Sequence, residues 1–572
     1  MGGSSSKSYQ SGKGMDTAEF RVRGKEMVDY MCKYNETLPE KCVVSKVKPG
    51  YLKELLPTEP PENPESWDDI MRDVDAHIMP GITHWEHPRF HAYFPSGNSY
   101  PSILGDMLSD IIGCIGFSWA ASPACTELET IVMDWMAHAL GLPSTFLSTS
   151  KGGGVIQGSA SDCVLTCMLA ARLEALRKLQ KDNSASLINE DIHLKAALLP
   201  KLVAYCSREA HSCVEKAASI CLVRLRILEP DEENVLRGDI LKKAMEEDIA
   251  NGLVPFFALA ITGSTGSCTF DNLTEMGQVC RAAGVWLHVD AAYAGCAMIC
   301  PELRYLMKGV ELAQSFNTNT NKFFLVNFDC SLLYVKDRQK LVSCFNVDPL
   351  YLKHQHENVV FDYRHWGIPL SRRFRSLKLW FVLRSYGISG MQEYIRNHIK
   401  LAKRFENHVR QDKRFEVNND PRLGLVCFRL RSEGDALTTS LLANINQSGK
   451  LHMVPARCKE KYIIRFCVVA QNACEADIDY AWKVITDFAA EILTPESPRI
   501  LCSIPTTPEG RKLSRQFSFT RTVSQTTFKR SVRNSLYDGA TPVVLVDEDT
   551  TNVFDEVFEN ARKEQEQSKD KE

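Results

Sequence analysis

Residues 285–295 read VWLHVDAAYAG, a hydrophobic strand that ends in Asp290 and is followed by small residues and Gly295. Two more apolar strands lie upstream, KLVAYCS (201–207) and LVPFFALAI (253–261), with helical stretches between them. Strands alternating with helices predict an α/β fold, with a mostly parallel central sheet covered on both faces. In such sheets ligands bind in the crevice beyond the carboxyl ends of the strands, which is where Asp290 points. From about Gly387 the elements become smaller. YIRNHIKLAKRFENHV, LGLVCFRL and KYIIRFCVVA predict a small α+β domain closing over the large one.

The second decisive stretch is SFNTNTNKFFLVNFDCSLLYVKD, residues 315–337. A polar, Asn-rich turn precedes Lys322. Phe323, Phe324, Leu325 and Val326, then Leu332, Leu333, Tyr334 and Val335, read as buried strand. Burial disfavours an ammonium and exposes a nucleophilic amine suited to capturing a carbonyl cofactor. Alone, Lys322 reads rather as a lysine snorkelling from a core edge, as most lysines beside apolar strands do. Paired with Asp290 it gains a meaning. Pyridoxal phosphate (PLP) needs an amine for its carbonyl and a carboxylate to keep its ring nitrogen protonated. GGGVIQGSASDCVLTCMLAARLEAL (152–176) supplies a place for the phosphate. The Gly152–Gly154 run predicts a tight turn. Gly158, Ser159, Ala160 and Ser161 lead into a long helix, whose free amides suit a phosphate, although an ordinary Ser-capped helix looks the same.

HVDAAYAG, EAHSCVEKA, GFSWAASPACTELE and DYRHWGIPLSRRFRSLK together resemble the group II PLP-dependent amino-acid decarboxylases, from about Met15 to about Leu493. That family acts on dopa or 5-hydroxytryptophan, histidine, or tyrosine. The likeness is nearest to invertebrate tyrosine decarboxylases, notably through GKLHMVPA, RFCVVAQNA and DIDYAW. The resemblance implies the type I PLP fold (aspartate aminotransferase-like) and a homodimer with shared active sites. Lys322, Asp290, His211 and Tyr351 become catalytic, with His211 stacked on the cofactor ring. Ala160, Ser161, Thr265 and Asn319 become cofactor contacts. Trp85, Tyr93, Phe94 and Ser96, in the aromatic segment HWEHPRFHAYFPSGNSYPS (84–102), become the substrate rim. Ile115 and Phe117 reach the partner subunit's site. The family usually reads Asn-Pro-X-Lys-Trp at the lysine, whereas here Thr320 and Phe323 stand in place of the proline and tryptophan.

Residues 347–374 read as a lid, with Asp362 fixing a hinge. By resemblance Tyr351 is the lid tyrosine, placed to protonate the α-carbon after CO2 leaves. Plant aldehyde synthases carry Phe there, so Tyr351 and His211 favour simple decarboxylation. Ser371 is the specificity clue. Dopa decarboxylases carry Gly, and histidine and tyrosine enzymes carry Ser. A hydroxyl in a buried pocket rewards one substrate ring over another. The expected reaction is L-tyrosine to tyramine, a biogenic amine and octopamine precursor. Alternatives are histidine, dopa or broad aromatic decarboxylation, an aldehyde synthase, and a catalytically inactive paralogue.

Composition adds limits. Net charge is −3 over 572 residues, giving no general attraction to nucleic acid or membrane. Twenty Cys without paired CxxC spacing predict no metal site and reduced thiols in the cytoplasm. Cys114, Cys125, Cys163, Cys167 and Cys330 read as small core residues. Residues 1–14 form a polar leader that reads as disordered. It also fits the N-myristoylation pattern at Gly2, which would give weak membrane association. Residues 15–100 form a helical segment, with Phe20, Met27, Val28 and Met31 at helical spacing, and the resemblance implies that it packs on the other subunit as a dimerisation segment. The large PLP domain spans 101–386 and the small domain 387–495. Ser122 and Pro123 open a helix with Leu128, Ile131, Val132, Trp135 and Met136 as its buried stripe. The 496–572 tail reads as disordered, basic then acidic. Ser514, Ser518 and Ser524 each follow an arginine three places back, a pattern for basophilic kinases or an incidental feature of a solvated tail.

Overall fold

The computed structural model describes residues 14–182, 196–346 and 360–494. Gly2, Tyr351, Ser514, Ser518 and Ser524 lie outside them. Among the described residues, no helix is long and apolar enough to cross a membrane.

The large sheet has seven strands: β1 (Gly153–Gln157), β2 (Leu202–Ser207), β3 (Arg224–Leu228), β4 (Val254–Ile261), β5 (Trp286–Asp290), β6 (Ser315–Asn319) and β7 (Ser331–Val335). Their order is β1-β7-β6-β5-β4-β2-β3. Strands β6, β5, β4, β2 and β3 pair in parallel. Strand β7 is antiparallel to both β6 and β1, so β1 runs in the same direction as the other five. The carboxyl ends of six strands therefore share one edge of the sheet.

The apolar runs at 201–207, 253–261 and 285–290 are β2, β4 and β5, buried along nearly all their length. Continuous hydrophobic strands are what a parallel sheet covered on both faces requires. Three sequence expectations are corrected. SFNTN is not a turn but β6, fully buried. Its polar side chains are tolerated because neighbours satisfy them: Ser315 accepts from Trp286 Nε1 (2.8 Å), and Asn319 Oδ1 accepts from Ser331 (2.7 Å). Phe323–Val326 is buried but is not strand, because Phe323 closes the short helix Thr320–Phe323 and Leu325 has φ +56°. The glycine run is not a turn either, since Gly153 and Gly154 begin β1.

Those glycines permit close approach. A Cβ on Gly152 would lie 2.1 Å from Thr145 O and 2.5 Å from Val335 O. Backbone atoms cannot yield as side chains do. Gly152→Ala should cost about 3 kcal/mol of stability. A urea midpoint within experimental error of the parent's would disprove this contact.

The helix Pro123–Leu140 covers one face through Val132, Met133, Met136 and Leu140. Ile131 and Trp135, expected in its buried stripe, are 44% and 43% exposed, so that stripe is corrected. Ser122 is the N-cap residue but makes no side-chain cap bond. The helix Ala160–Asp182 packs on the other face with Cys163, Val164, Cys167 and Met168 buried. The helical run Arg375–Gln411 leads from the large sheet toward the second one and breaks its dihedrals at Gly387, φ +63°. The second sheet holds β8 (Phe415–Val417), β9 (Leu425–Leu430), β10 (Val454–Cys458) and β11 (Lys461–Cys467), all antiparallel, in the order β10-β11-β9-β8. Its core includes Phe405 stacked on Phe466 at 3.7 Å.

The amino-terminal helix Thr17–Glu36 buries none of its residues. Helix Tyr100–Ile112 turns Leu104, Met107, Leu108, Ile111 and Ile112 to the surface, spaced as one continuous helical stripe. Of nineteen described cysteines, all free, fourteen are buried. Cys114 is half-buried, so it is less enclosed than expected.

Candidate active site

The ends of β1, β2, β4, β5 and β6 and the segments that follow them build the site. Asp290 terminates β5 and is 8% exposed. Its Oδ1 accepts from Ala292 N (3.1 Å) and Asn317 Nδ2 (3.2 Å). Its Oδ2 takes no hydrogen bond from the described residues. Beyond β6, the helix Thr320–Phe323 carries Lys322. The altered turn is well held. Thr320 Oγ1 donates to Cys330 O (3.2 Å), and Asn321 Oδ1 accepts from Cys330 N (3.2 Å). Phe323, where the family has tryptophan, is fully buried and stacks on Tyr293 at 5.1 Å. The departures at Thr320 and Phe323 thus leave the lysine supported.

Lys322 is half-buried and forms no ion pair among the described residues. Burial lowers its pKa below the ordinary lysine value, and the Asp290 charge opposes that shift. His211 follows β2 and precedes the helix Cys213–Ile220. Burial lowers its pKa too; Asp290 raises it and Lys322 lowers it. Asp290 thus acts on both the lysine and the imidazole. Cys213 N donates to His211 Nδ1 at 3.2 Å, leaving Nε2 as the nitrogen that carries the proton in the neutral ring. The Cys213 thiol is pushed up to about 12 by burial and touches the Ser161 hydroxyl.

Ala160 opens its helix directly beyond β1, with Ser161 exposed beside it. Ser159 Oγ accepts from Asp162 N (3.2 Å), while the amides of Ala160 and Ser161 take no partner among the described residues. After β4, Thr262 N donates to Asp290 O, and the following turn leaves Thr265 exposed. Asn319 is buried with its carbonyl oxygen committed to Ser331.

The aromatic segment adjoins the lysine. Gly97 N donates to Asn321 O (2.8 Å), and Ser99 Oγ donates to Leu325 O (2.7 Å). The Phe94 ring stacks on Tyr293 at 3.8 Å and lies 5.9 Å from Lys322 Nζ. Trp85 and Tyr93 stack at 4.9 Å, both partly exposed, and Tyr93 holds φ +58°, a strained value for an aromatic residue. Ser96 is half-buried between them and the lysine turn.

Ile115, Phe117 and Ser371 form a separate group, tied together where Gly116 N donates to Arg372 O (3.2 Å). None of them hydrogen-bonds to Lys322, Asp290 or His211. Ile115 is 52% exposed. Ser371 is exposed as well, so the buried pocket expected around it is corrected: this chain alone does not enclose it. Asp362 Oδ1 accepts from Trp119 N (2.8 Å), which anchors the end of the expected lid. Nearby, Glu129 accepts from Arg372 (2.6 Å) and Ile156 N (2.8 Å), a buried pair that fixes this group to β1.

The sequence reading did not single out His288, Ser315 and Asn317, which lie behind Asp290. Their signal was polar residues at every second position of two buried strands, WLHVD and SFNTN.

This donor set fits PLP: an amine, an ionisable carboxylate with an uncommitted oxygen, a ring at the crevice, and open helix amides for a phosphate. Residues 49–431 match the pyridoxal-dependent decarboxylase conserved domain. The chain belongs to the pyridoxal-dependent decarboxylase family. It is 51% identical over 486 residues to the aromatic-L-amino-acid decarboxylase of Mus musculus, covering 84% of this chain and all of that one. The Manduca sexta protein of the same name is 48% identical over 494 residues, covering 86% and 96%. Among solved structures, Oryza sativa TDC with PLP and tryptamine superposes with a TM-score of 0.80 at 33% identity, covering 85% of this chain and all of that one. Rhodiola rosea 4-hydroxyphenylacetaldehyde synthase gives 0.77 at 36%, covering 84% and 100%. The fold of this decarboxylase is the type I PLP fold, and its cofactor is PLP.

Proposed function

We propose that this decarboxylase acts on aromatic L-amino acids, with L-tyrosine as its main substrate and tyramine as product. The observation that carries this reading is the aromatic segment bonded to the lysine turn, with Phe94 5.9 Å from Lys322 Nζ. An aromatic wall beside the reacting amine suits an aromatic side chain. The names of the relatives at about half identity agree with it. The preference for tyrosine rests on the overall likeness to tyrosine decarboxylases, while Ser371 argues against dopa without separating tyrosine from histidine.

PLP, when bound, supplies a carbonyl for the substrate amine and a ring that accepts the electron pair left when CO2 departs. The protein does the rest. Asp290 would hold the ring nitrogen's proton through Oδ2, and His211 would cover the ring. The free amides at Ala160 and Ser161 receive the phosphate. Lys322, its pKa lowered by burial, keeps a fraction of neutral amine able to exchange with the substrate's amine. The Cα–carboxylate bond breaks, CO2 leaves, and Tyr351 gives Cα a proton, so the net reaction takes up one proton and releases an amine.

The active unit is a homodimer in this reading. The stripe Leu104, Met107, Leu108, Ile111 and Ile112 supports it, being a contiguous exposed apolar face of the kind that marks an interaction surface. The stripe runs on toward Ile115, which with Phe117 and Ser371 would complete the partner subunit's site.

The test is product analysis with PLP and equal L-tyrosine, L-dopa, L-histidine and L-tryptophan. Tyramine in excess without peroxide is expected, and Ser371→Gly should shift product toward dopamine by about tenfold. Histamine or dopamine in excess refutes the tyrosine preference. Aldehyde with peroxide favours the reading shared with the Rhodiola rosea enzyme.

A further inference from the structure

Strands β5 and β6 run side by side, with His288 opposite Ser315 and Asp290 opposite Asn317. Side chains alternate across a sheet, so Trp286, His288 and Asp290 share a face with Ser315 and Asn317. All five are buried. Positions like these in a covered parallel sheet are ordinarily apolar, so a line of polar groups there calls for a cause.

They form one chain of hydrogen bonds. Trp286 Nε1 lies 2.8 Å from Ser315 Oγ, and Ser315 Oγ lies 2.8 Å from His288 Nδ1. His288 Nε2 lies 2.8 Å from Asn317 Oδ1, and Asn317 Nδ2 lies 3.2 Å from Asp290 Oδ1. The direction is set from both ends. An indole N–H only donates, and a carboxylate only accepts. Asn317 must therefore turn its NH2 to Asp290 and its carbonyl oxygen to His288. His288 must carry its hydrogen on Nε2. Its bare Nδ1 accepts from the Ser315 hydroxyl, whose oxygen accepts from Trp286. Reversing any one link sets two donors or two acceptors face to face. The ring is neutral, because burial pushes the His288 pKa down to about 4. The Cys167 thiol beside Ser315, pushed up to about 12 by burial, stays protonated and does not compete as a base.

We propose that His288, Ser315 and Asn317 are positioning residues, aligned so that the chain delivers one donor to Asp290 Oδ1 and aims Oδ2 at the cofactor's ring nitrogen. The proposal rests on the reading of Asp290 as partner of that nitrogen. All four bonds point toward the carboxylate. The chain ends on an indole, which neither gives up nor takes a proton at ordinary pH. It orients Asp290 and does not conduct protons to it.

The experiment uses the full-length chain stripped of PLP and titrated with PLP, or with an analogue that has C–H in place of the ring nitrogen. Asn317→Leu should weaken PLP binding about tenfold or more and leave analogue binding nearly unchanged. Ser315→Ala should do so more mildly. In nitrogen-resolved NMR of the stripped protein, His288 should carry its proton on Nε2 in the parent and populate both tautomers in Ser315→Ala. Equal loss of both ligands in Asn317→Leu would make the chain a plain structural element and overturn the proposal. So would a His288 proton on Nδ1 in the parent. Asp290→Ala separates the two readings. If it abolishes the preference for PLP while Asn317→Leu retains it, the positioning proposal alone fails. If Asp290→Ala itself retains the preference, the reading of Asp290 fails and the proposal falls with it.

Discussion

Lys322→Met should lower decarboxylation by a factor on the order of 10⁴ while leaving the stripped protein at least as stable as the parent at pH 7. The two halves share one cause. Lys322 is half-buried without an ion pair among the described residues, and burial lowers its pKa. The folded chain therefore binds that proton less readily than the unfolded chain, whose lysines titrate near ~10.4. Across the window between the folded and unfolded pKa, the unfolded state holds more protons, so stability rises with pH. Below that window the buried charge is a standing cost. Methionine has a similar shape and no charge, so it removes the cost. Its stability advantage should shrink as pH rises toward the unfolded value. Denaturant unfolding at a series of pH values, with turnover measured on the same samples, checks both halves. A variant that keeps more than about a hundredth of parental turnover would remove Lys322 from the chemistry. An advantage that grew with pH would contradict the lowered pKa.

The paired substitution Leu104→Asp with Ile111→Asp should produce a folded monomer whose activity is reduced about a hundredfold or more. Both residues project from the helix Tyr100–Ile112, and Ile111 is 71% exposed, so neither change touches the core. Across a two-fold interface each new carboxylate would meet a copy of itself or remain desolvated, at a cost of several kcal/mol. Sedimentation equilibrium gives the mass, and thermal unfolding shows whether the fold persists. A dimer that survives both aspartates would mean another face joins the copies. A monomer with full activity would mean that Ile115, Phe117 and Ser371 serve no neighbouring site.

The sheet was legible where its strands are continuous apolar runs, as at LVPFFALAI and VWLHVD. It was illegible at SFNTN, because local propensity treats Ser, Asn and Thr as loop formers. Their partners in β5 and β7 are supplied only by the fold. The opposite error occurred at Phe323–Val326. Four apolar residues in a row are buried, Phe323 against Tyr293, without any ladder to join. At Gly152–Gly154 the residue type suggested a turn, whereas the fold needed the missing Cβ atoms. Ile131 and Trp135 show a further limit. An apolar face is visible in sequence, but whether it meets the chain's own core is not. For the site, motif likeness pointed to Asp290, Lys322, His211 and Ser161, and the Asp290 charge acting on both Lys322 and His211 is consistent with one crevice. The hydrogen-bonded line behind Asp290 depended on the register of two strands 25 residues apart, from Asp290 to Ser315, and no single stretch contains it.

The buried cysteines have a consequence outside catalysis. Burial raises the pKa of most of these thiols, for example Cys163, Cys280 and Cys427, and so suppresses the thiolate that reacts with alkylating agents. They are spread over both sheets and the helices between them. Each falls silent when its own neighbourhood closes and becomes reactive when that neighbourhood opens. The chain thus carries a built-in set of local unfolding reporters, able to show which part of the molecule loosens first without any label being engineered into it.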